Sequence, residues 1–314
     1  MKVHLSFDTE VWCDGWEQLD EKFPSAFQQY IYGPGGTGAL PLTLAILKEH
    51  GLRGVFFVEP LFSLRFGLAP LQEIVGLIRD AGQDIQLHVH PEWVSELGDH
   101  VMAHRAKTPN LHAFSFEEQS SIIAAACERL QEAGAQRPTA FRAGSYAIDE
   151  NTLRALVCND IHIDSSINPV YDYPYPVLPD WQGLAPKKIC GVLEYPVTRF
   201  RDGLGRWRPL HVTACSLAEM TGVLQQARLG GMSAVTLVSH NFELLTPSKQ
   251  AVDPLMRRRF DGLCKWLSRH RQDFTTASYA PGLPGQAAVE PMLSASLLHT
   301  GGRITAQLAR RAYR

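Results

Sequence analysis

The sequence predicts a single-domain α/β protein, a distorted (β/α) barrel of seven or eight strands that resembles a TIM barrel. Short runs rich in β-branched and aromatic residues alternate with stretches of helical period along most of the 314 residues. This alternation is typical of parallel βα units. About eight such strands occur, the number that a closed (β/α) barrel requires.

The first half of the chain supplies four predicted strands and three helices. The strands are residues 2–8, 54–60, 84–90 and 139–144. The helices are residues 39–50, 69–81 and 116–133. Gly51 and Gly82 end the first two helices, because glycine readily adopts the left-handed conformation of a helix C-terminus. Ser115 and Glu118 have the spacing of a capping box at the start of the third.

The second half continues the alternation with one irregular interval. It contains predicted helices at 149–158, 216–229 and 254–271, and predicted strands at 161–166, 192–197, 234–240 and 274–279. Prolines and aromatics dominate residues 167–213, where the strand at 192–197 is the only regular element that we predict. We therefore predict a barrel over residues 1–280.

Residues 281–314 differ in composition from the barrel. The segment PGLPG at 281–285 is typical of a linker, and the basic residues after it are loosely amphipathic. Two interpretations stay open at this point. The tail is either a solvated helix or frayed end, or a helix that contacts a membrane surface or a partner.

Composition limits the function classes. Hydrophobic residues make up 45% of the chain, charged residues 20%, and the net charge is -2. Nucleic-acid binding is not indicated, because it depends on clustered Lys and Arg. The six cysteines have no regular spacing, and we predict reduced thiols. No signal-peptide core or transmembrane segment is evident, and we predict a cytoplasmic protein.

Polar side chains follow the predicted strands where the strands end. They are Asp8, Glu10, His88, His90, Arg142, Asp164 and His240. The carboxyl ends of the strands of a (β/α) barrel open on one face, where the active sites of such enzymes lie. We therefore expect these seven side chains to belong to one site.

Two pairs among them have the spacing of metal ligands. Asp8 and Glu10 lie two residues apart, as do His88 and His90, so each pair shares one face of its strand. Two imidazoles and one or two carboxylates form the ligand set of a divalent metal such as zinc. We predict a divalent metal, with zinc preferred.

Other polar and aromatic residues have two interpretations each. Glu59 is either a site residue or simply the polar residue at which its strand ends. Trp12, Trp93, Tyr171, Tyr173 and Tyr175 either form stacking walls for a sugar or pack in the core. His100 and His104 have helical ligand spacing but lie in a polar stretch, and we interpret them as surface histidines.

Five short motifs resemble those of the polysaccharide deacetylase family (NodB homology, carbohydrate esterase family 4). They are SFDTE (6–10), LHVHPEW (87–93), FRAGSYA (141–147), IDSS (163–166) and LVSH (237–240). They occur in the order that the family has. The resemblance implies a distorted (β/α) barrel, in agreement with the strand count.

The resemblance also implies roles for individual residues. Asp8 corresponds to the catalytic base and Arg142 to the arginine that orients it. His240 corresponds to the histidine that acts as general acid, and Asp164 to the carboxylate that tunes this histidine. Further roles implied by the resemblance are metal binding by His88 and His90, and oxyanion binding by the backbone N–H near Tyr146. Trp93 and Glu59 remain substrate-binding candidates.

The chain departs from the family pattern at both metal motifs. Thr9 stands where the family has a second aspartate, so we assign the ligand to Glu10, which shares a face with Asp8; the two acids could exchange roles. The histidines lie two residues apart where the family has four. These departures predict a divergent branch, one that serves surface-glycan assembly in the cytoplasm.

The function predicted from these motifs is metal-dependent removal of an N-acetyl or O-acetyl group from a sugar of a surface glycan or its precursor. Metal-bound water attacks the acyl carbon, Asp8 accepts its proton, and His240 protonates the leaving group. Two alternatives stay open: an amidohydrolase acting on another C–N amide bond, and a non-catalytic carbohydrate-binding barrel. The sugar, its carrier and the oligomeric state are not predicted.

Overall fold

The computed structural model describes residues 1–96, 106–171, 183–282 and 290–311. Its strands are β1 (Lys2–Thr9), β2 (Gly54–Val58), β3 (Asp84–Val89), β4 (Ala140–Ala143), β5 (Ile163–Asp164), β6 (Lys187–Ile189), β7 (Val192–Glu194), β8 (Arg199–Arg201), β9 (Trp207–Pro209), β10 (Ala234–His240) and β11 (Thr275–Thr276). Its helices are α1 (Leu19–Phe27), α2 (Leu40–His50), α3 (Ser63–Phe66), α4 (Ala69–Asp80), α5 (Phe116–Glu132), α6 (Glu150–Cys158), α7 (Leu217–Leu229), α8 (Pro254–Arg269) and α9 (Leu297–Arg311).

The chain forms two compact units. The first comprises Met1–Gly54, Val197–Ser278 and Gly285–Arg314, and the second comprises Val55–Pro196 and Tyr279–Pro284. The predicted boundary between a barrel and a tail at residue 280 stays a prediction.

The first unit is built on strand β1. β1 pairs in parallel with β10 along its length and with β11 at its start. Val3, Leu5 and Phe7 occupy one face of β1 and are buried, while the other face carries the buried polar residues His4, Ser6 and Asp8. A parallel strand that is buried on both faces is typical of α/β folds. Helices α2, α7 and α8 belong to this unit, together with the β8–β9 hairpin.

The second unit contains a mixed sheet. β2, β3, β4, β5 and β7 are parallel in that order, and β6 runs antiparallel at the edge beside β7. Helices α4, α5 and α6 follow the strands as predicted. The predicted capping box of α5 is present, with the Ser115 hydroxyl accepting from the Glu118 N–H and the Glu118 carboxylate accepting from the Ser115 N–H.

Several elements differ from the sequence-based prediction. The strands expected at 161–166, 192–197 and 274–279 are shorter, and α1 and the β8–β9 hairpin were not predicted. α1 contains Pro24 and begins at Gln18 without a side-chain cap, so it lacks the local signals of a helix start. All six cysteines are free thiols, as predicted. No helix among the described residues has the length and hydrophobicity needed to cross a membrane.

Helix α9 belongs to the first unit and is held there by ion pairs. The guanidinium of Arg303 donates to the carboxylates of Asp202 at 2.8 Å and Glu219 at 3.1 Å, and all three side chains are buried. Removing one partner of a buried ion pair leaves an uncompensated buried charge, which strongly lowers the free energy of unfolding.

We expect Arg303→Met to lower the free energy of unfolding by about 3 kcal/mol, because Asp202 and Glu219 would lose their shared cation. Chemical denaturation measures this change. Arg154→Met is the matched control, since Arg154 and Glu150 form an exposed pair and such pairs contribute about 0.5 kcal/mol. Equal losses in the two variants would contradict the assigned role of Arg303.

Candidate functional site

The carboxyl ends of β1 and β10 bring an acid and a histidine together in the first unit. Asp8 and His240 are register partners on these strands. The His240 Nε2 atom lies 4.0 Å from Oδ2 of Asp8. Asp8 is buried, whereas His240 is partly accessible. A base and an acid that face each other at strand ends are suited to proton transfer on a bound substrate.

Glu243 orients His240, and the sequence analysis did not identify it. His240 Nδ1 lies 2.9 Å from Oε1 of Glu243, which is three residues further along the chain. The Ser239 hydroxyl donates to the other carboxylate oxygen at 2.8 Å. The pairing of Nδ1 with a carboxylate directs Nε2 toward Asp8. The acidic residue three positions after the LVSH motif was the available sequence signal.

A second histidine, His211, contacts the same carboxylate. Its Nε2 lies 3.2 Å from Oε1 of Glu243. The backbone N–H of Thr213 donates to the His211 Nδ1 at 3.2 Å. Because a backbone N–H is always a donor, Nδ1 is the acceptor, and the N–H at Nε2 donates a hydrogen bond to Glu243. Glu243 therefore accepts hydrogen bonds from two histidines and a serine.

The charges around His240 favour its protonated form. Burial acts to lower the pKa of His240, but the Glu243 carboxylate, with Glu10 and Asp8 further away, raises it to about 9. Burial acts to raise the pKa of Glu243, but His211 and His240 hold it well below its usual range. His240 is consequently a cation at neutral pH in this arrangement, the form that a general acid requires.

Glu10 continues the acidic end of β1. Its backbone N–H donates to Oδ1 of Asn241 at 3.2 Å, and the Asn241 amide donates to the Tyr30 carbonyl at 2.8 Å. Asn241 thereby ties the segment after β1 to the segment after β10. Glu10 is buried, like Asp8.

In the second unit, His88 and His90 form a close pair at the end of β3. Their ring centroids are 4.8 Å apart at an interplanar angle of 81°. His88 Nδ1 lies 2.7 Å from the Arg142 carbonyl, and His90 Nδ1 lies 3.3 Å from the Glu92 carboxylate. Metal-binding histidines commonly donate one ring N–H to such acceptors, which leaves the other nitrogen to bind the metal.

Gly144 provides the space that the His90 ring occupies. A Cβ atom at position 144 would lie 2.5 Å from both Nδ1 and Cε1 of His90. The next two residues, Ser145 and Tyr146, both have left-handed backbone conformations, with φ of 53° and 55°. Such conformations are strained for residues other than glycine and often occur at functional sites. The motif FRAGSYA therefore shapes this region through its backbone.

We expect Gly144→Ala to weaken metal binding by roughly 10- to 100-fold, the effect typical of disturbing groups that orient a metal ligand. The added methyl group would displace the His90 ring. Competition titration with a zinc chelator measures the affinity without reference to activity. Gly76→Ala in α4 is the matched control, because a Cβ there has no neighbour within 4 Å; a similar loss in both variants would contradict the role of Gly144.

Arg142 is fully buried at the end of β4. Its Nε donates to the Ser165 carbonyl and its Nη2 to the Ser165 hydroxyl, each at 3.0 Å. The guanidinium carbon lies 4.3 Å from the centroid of the Phe57 ring. These contacts fix the guanidinium in one orientation, as a residue that positions another charged group requires.

Asp164 pairs with Glu194, a carboxyl that the sequence analysis did not identify. The two are register partners on β5 and β7. Burial, followed for Glu194 by the charge of Asp164, raises the pKa of both carboxyls. The Ser166 hydroxyl donates to Asp164 at 2.6 Å, and the Ile167 N–H donates to Glu194 at 3.0 Å. Both carboxyls are therefore more readily protonated than exposed ones.

The remaining predicted site residues have mainly structural contacts. Glu59 accepts hydrogen bonds from the backbone N–H groups of Leu61 and Phe62. These contacts favour the interpretation that Glu59 is a polar residue at the end of its strand. Trp93 is 2% exposed and packs edge-on against Phe62 and Phe66. This burial favours the interpretation that Trp93 packs in the core, and its role in substrate binding stays a prediction.

Two of the other aromatic candidates contact a neighbouring ring. Trp12 packs edge-on against Trp16, and the rings of Tyr146 and Tyr171 lie 6.0 Å apart. Four further candidates lie outside the described residues: His100, His104, Tyr173 and Tyr175.

Comparison with known proteins gives matches in structure only. No protein-family model matches the chain, and no curated protein matches it. A structure from Mycobacterium smegmatis, described as a candidate polysaccharide deacetylase, has 19% sequence identity to the chain and a TM-score of 0.50. The alignment covers 90% of this chain and 94% of that one. The chain has the polysaccharide deacetylase fold.

Two other similar structures have lower TM-scores. A family 4 carbohydrate esterase from Streptomyces lividans, in complex with acetate, has 13% identity and a TM-score of 0.46, with 92% of this chain and 97% of that one covered. A family 4 pseudoenzyme from Bacillus anthracis has 12% identity and a TM-score of 0.45, with 88% and 63% covered.

The polysaccharide deacetylase fold confirms the predicted fold class. Asp8 and His240 lie at strand ends of the first unit, and His88 and Arg142 lie at strand ends of the second unit. The roles that the resemblance implies for them remain predictions.

Proposed function

We propose that the chain is a metal-dependent carbohydrate deacetylase that hydrolyses the N-acetyl or O-acetyl group of a sugar. The arrangement of His240 between Asp8 and Glu243 carries this proposal. Hydrolysis of an amide requires a base for the attacking water and an acid for the leaving amine. The acetylated sugar belongs to a surface glycan or its precursor in this proposal, and the cytoplasmic location stays a prediction.

The residues proposed for the metal have suitable donor chemistry. His88 and His90 each have Nδ1 beside an acceptor, so their Nε2 atoms carry the lone pairs that a metal needs. We propose Glu10 as the third ligand, with Asp8 as the alternative. Two imidazoles and one carboxylate favour zinc among the divalent metals. The metal, when bound, would lower the pKa of a water molecule and polarise the acyl carbonyl group.

The side chains of the site would then divide the proton transfers between them. Asp8 accepts the proton of the attacking water, and Arg142 orients this base. His240 delivers its Nε2 proton to the departing amine or alkoxide, and the backbone N–H near Tyr146 stabilises the oxyanion. Since Glu243 pairs with the His240 Nδ1, we assign to Glu243 the tuning role that the resemblance implied for Asp164.

A survey of acetate release tests the proposed function. Nucleotide-linked, lipid-linked and polymeric N-acetyl and O-acetyl sugars are incubated with the native protein, the chelator-treated protein and the treated protein reloaded with zinc. We expect release from one substrate class, its loss with chelator and its recovery with zinc. Full activity of the metal-free protein would refute the proposal, as would stoichiometric zinc binding without deacylation of any substrate, which would favour a carbohydrate-binding barrel.

We expect Glu243→Gln to shift the alkaline limb of the pH–activity profile to lower pH by at least about one unit. The carboxylate raises the pKa of His240 to about 9, and a neutral amide removes this charge. Less His240 would then be protonated as the pH rises through neutrality. The kcat/KM value measured from pH 5 to pH 10 reports the shift.

Glu117→Gln supplies the control for this profile. Glu117 lies in the first turn of α5 in the second unit, and its carboxylate is exposed. An unchanged alkaline limb in Glu243→Gln, with activity retained, would contradict the assignment of His240 as the acid.

A further inference from the structure

Helix α9 buries its polar face. Arg303 and Thr300 are buried, with Arg303 paired to Asp202 and Glu219, and the Thr300 hydroxyl donating to Glu219 at 3.1 Å. In the last turn of the helix, Arg310 pairs with Asp253. The helix is thus attached to the first unit by charged and polar groups.

The opposite face of α9 is apolar and exposed. Leu297, Leu298, Ile304 and Leu308 are exposed, with Leu298 81% and Leu297 67% accessible. We call these four residues the apolar patch. A helix at a protein surface ordinarily has the reverse arrangement, with the apolar face toward the core. The four side chains extend along a helix of 15 residues, a length of about 22 Å.

The turn between β8 and β9 adjoins the start of this helix. The Gly203 N–H donates to the Thr300 hydroxyl at 2.8 Å, and a Cβ at position 203 would lie 2.6 Å from the Leu297 Cα. The neighbouring residue, Leu204, is 55% exposed. The turn therefore adds a further exposed apolar side chain beside the patch.

The same hairpin carries an aromatic ring and basic side chains. The guanidinium groups of Arg199 and Arg201 lie 4.3 and 4.2 Å from the Trp207 ring centroid, and Trp207 is partly exposed. Arg201 and Arg206 are exposed, and neither forms an ion pair with a carboxylate among the residues that the structure describes. The Glu290 carboxylate acts on Arg199, but Arg201 and Arg206 leave the surface beside the apolar patch with an excess of positive charge, although the chain has a net charge of -2.

We propose that the apolar patch and the basic β8–β9 hairpin dock on an anionic membrane surface, with α9 lying in the plane of the interface. Leucine and isoleucine side chains with nearby Trp and Arg are the combination that binds the boundary between headgroups and acyl chains. The basic hairpin complements anionic headgroups. Docking of a second copy through the same face would bring like charges together, which disfavours self-association.

Vesicle co-sedimentation tests this proposal with the full chain. We expect binding to vesicles of phosphatidylcholine that contain roughly 30% phosphatidylglycerol, and weaker binding to vesicles of phosphatidylcholine alone. Binding to the anionic vesicles should decrease as the salt concentration is raised. The variant Leu297→Ser/Ile304→Ser/Leu308→Ser should bind at least about tenfold less. Arg201→Gln/Arg206→Gln should lose the preference for anionic vesicles.

Leu64→Ser is the matched control, because Leu64 is an exposed leucine in the second unit. All substitutions lie at exposed positions, and circular dichroism verifies that each variant is folded. Equal binding by the patch variant and the control would overturn the proposal, as would absent binding of the native chain. A dimer in sedimentation velocity that the patch substitutions convert to monomers would assign the patch to self-association and also overturn it.

Discussion

Replacement of His240 by asparagine is expected to lower kcat for hydrolysis of an N-acetyl sugar by at least about 100-fold. The amine is a poor leaving group until it is protonated, and His240 is the group that carries a proton toward the space beside Asp8. Its Nδ1 is paired with Glu243, so protonation and transfer both take place at Nε2. The measurement is steady-state acetate release on the substrate identified by the survey above.

The leaving group provides a sharper test of this role. An activated aryl acetate releases an anion that needs no protonation, so loss of a general acid should reduce its hydrolysis far less. We therefore expect the His240→Asn variant to retain most activity on the aryl ester while losing it on the amide. Equal losses on both substrates would contradict the acid role and would indicate a damaged site instead.

Replacement of His88 or His90 by alanine is expected to abolish stoichiometric metal binding and to lower activity by about 100-fold or more. Each imidazole is oriented by an acceptor on Nδ1, the Arg142 carbonyl for His88 and the Glu92 carboxylate for His90. An alanine leaves the metal with one protein ligand fewer. Metal content measured by mass spectrometry, alongside acetate release, reports both effects.

His162→Ala supplies the control for the two metal variants. His162 lies in the second unit near the surface and pairs with the exposed Asp160. It should retain native metal content and native activity. Native metal content in His88→Ala would show that this pair does not bind the metal, whereas metal loss with full activity would remove the metal from the mechanism.

The sequence predicted most of the regular elements because their signals are local. The capping box of α5 depends on Ser115 and Glu118 alone, and it was predicted to the residue. The glycine at position 51 ends α2 in a left-handed conformation, as expected from its lack of a Cβ atom. Elements without such signals, including α1 with its internal Pro24, were missed.

The site could be predicted only in part. Asp8, His88, Arg142 and His240 could be named as candidates because they stand at the ends of predicted strands, and their roles stay predictions. Glu194 could not be identified, because its pairing with Asp164 depends on the register between β5 and β7. The burial of Trp93 could not be predicted either, since burial of an aromatic ring depends on neighbours distant in sequence.

The sequence by itself determined the fold class, the order of the strands and helices, and which strand ends carry acids and histidines. Only the tertiary structure revealed that Glu243 holds His240, that Gly144 makes room for His90, and that α9 exposes its apolar face. The physical reason is the difference in sequence separation between the interacting residues. Helix caps and strand periodicity arise from interactions within a few residues, whereas hydrogen-bond partners and burial depend on which distant segments meet.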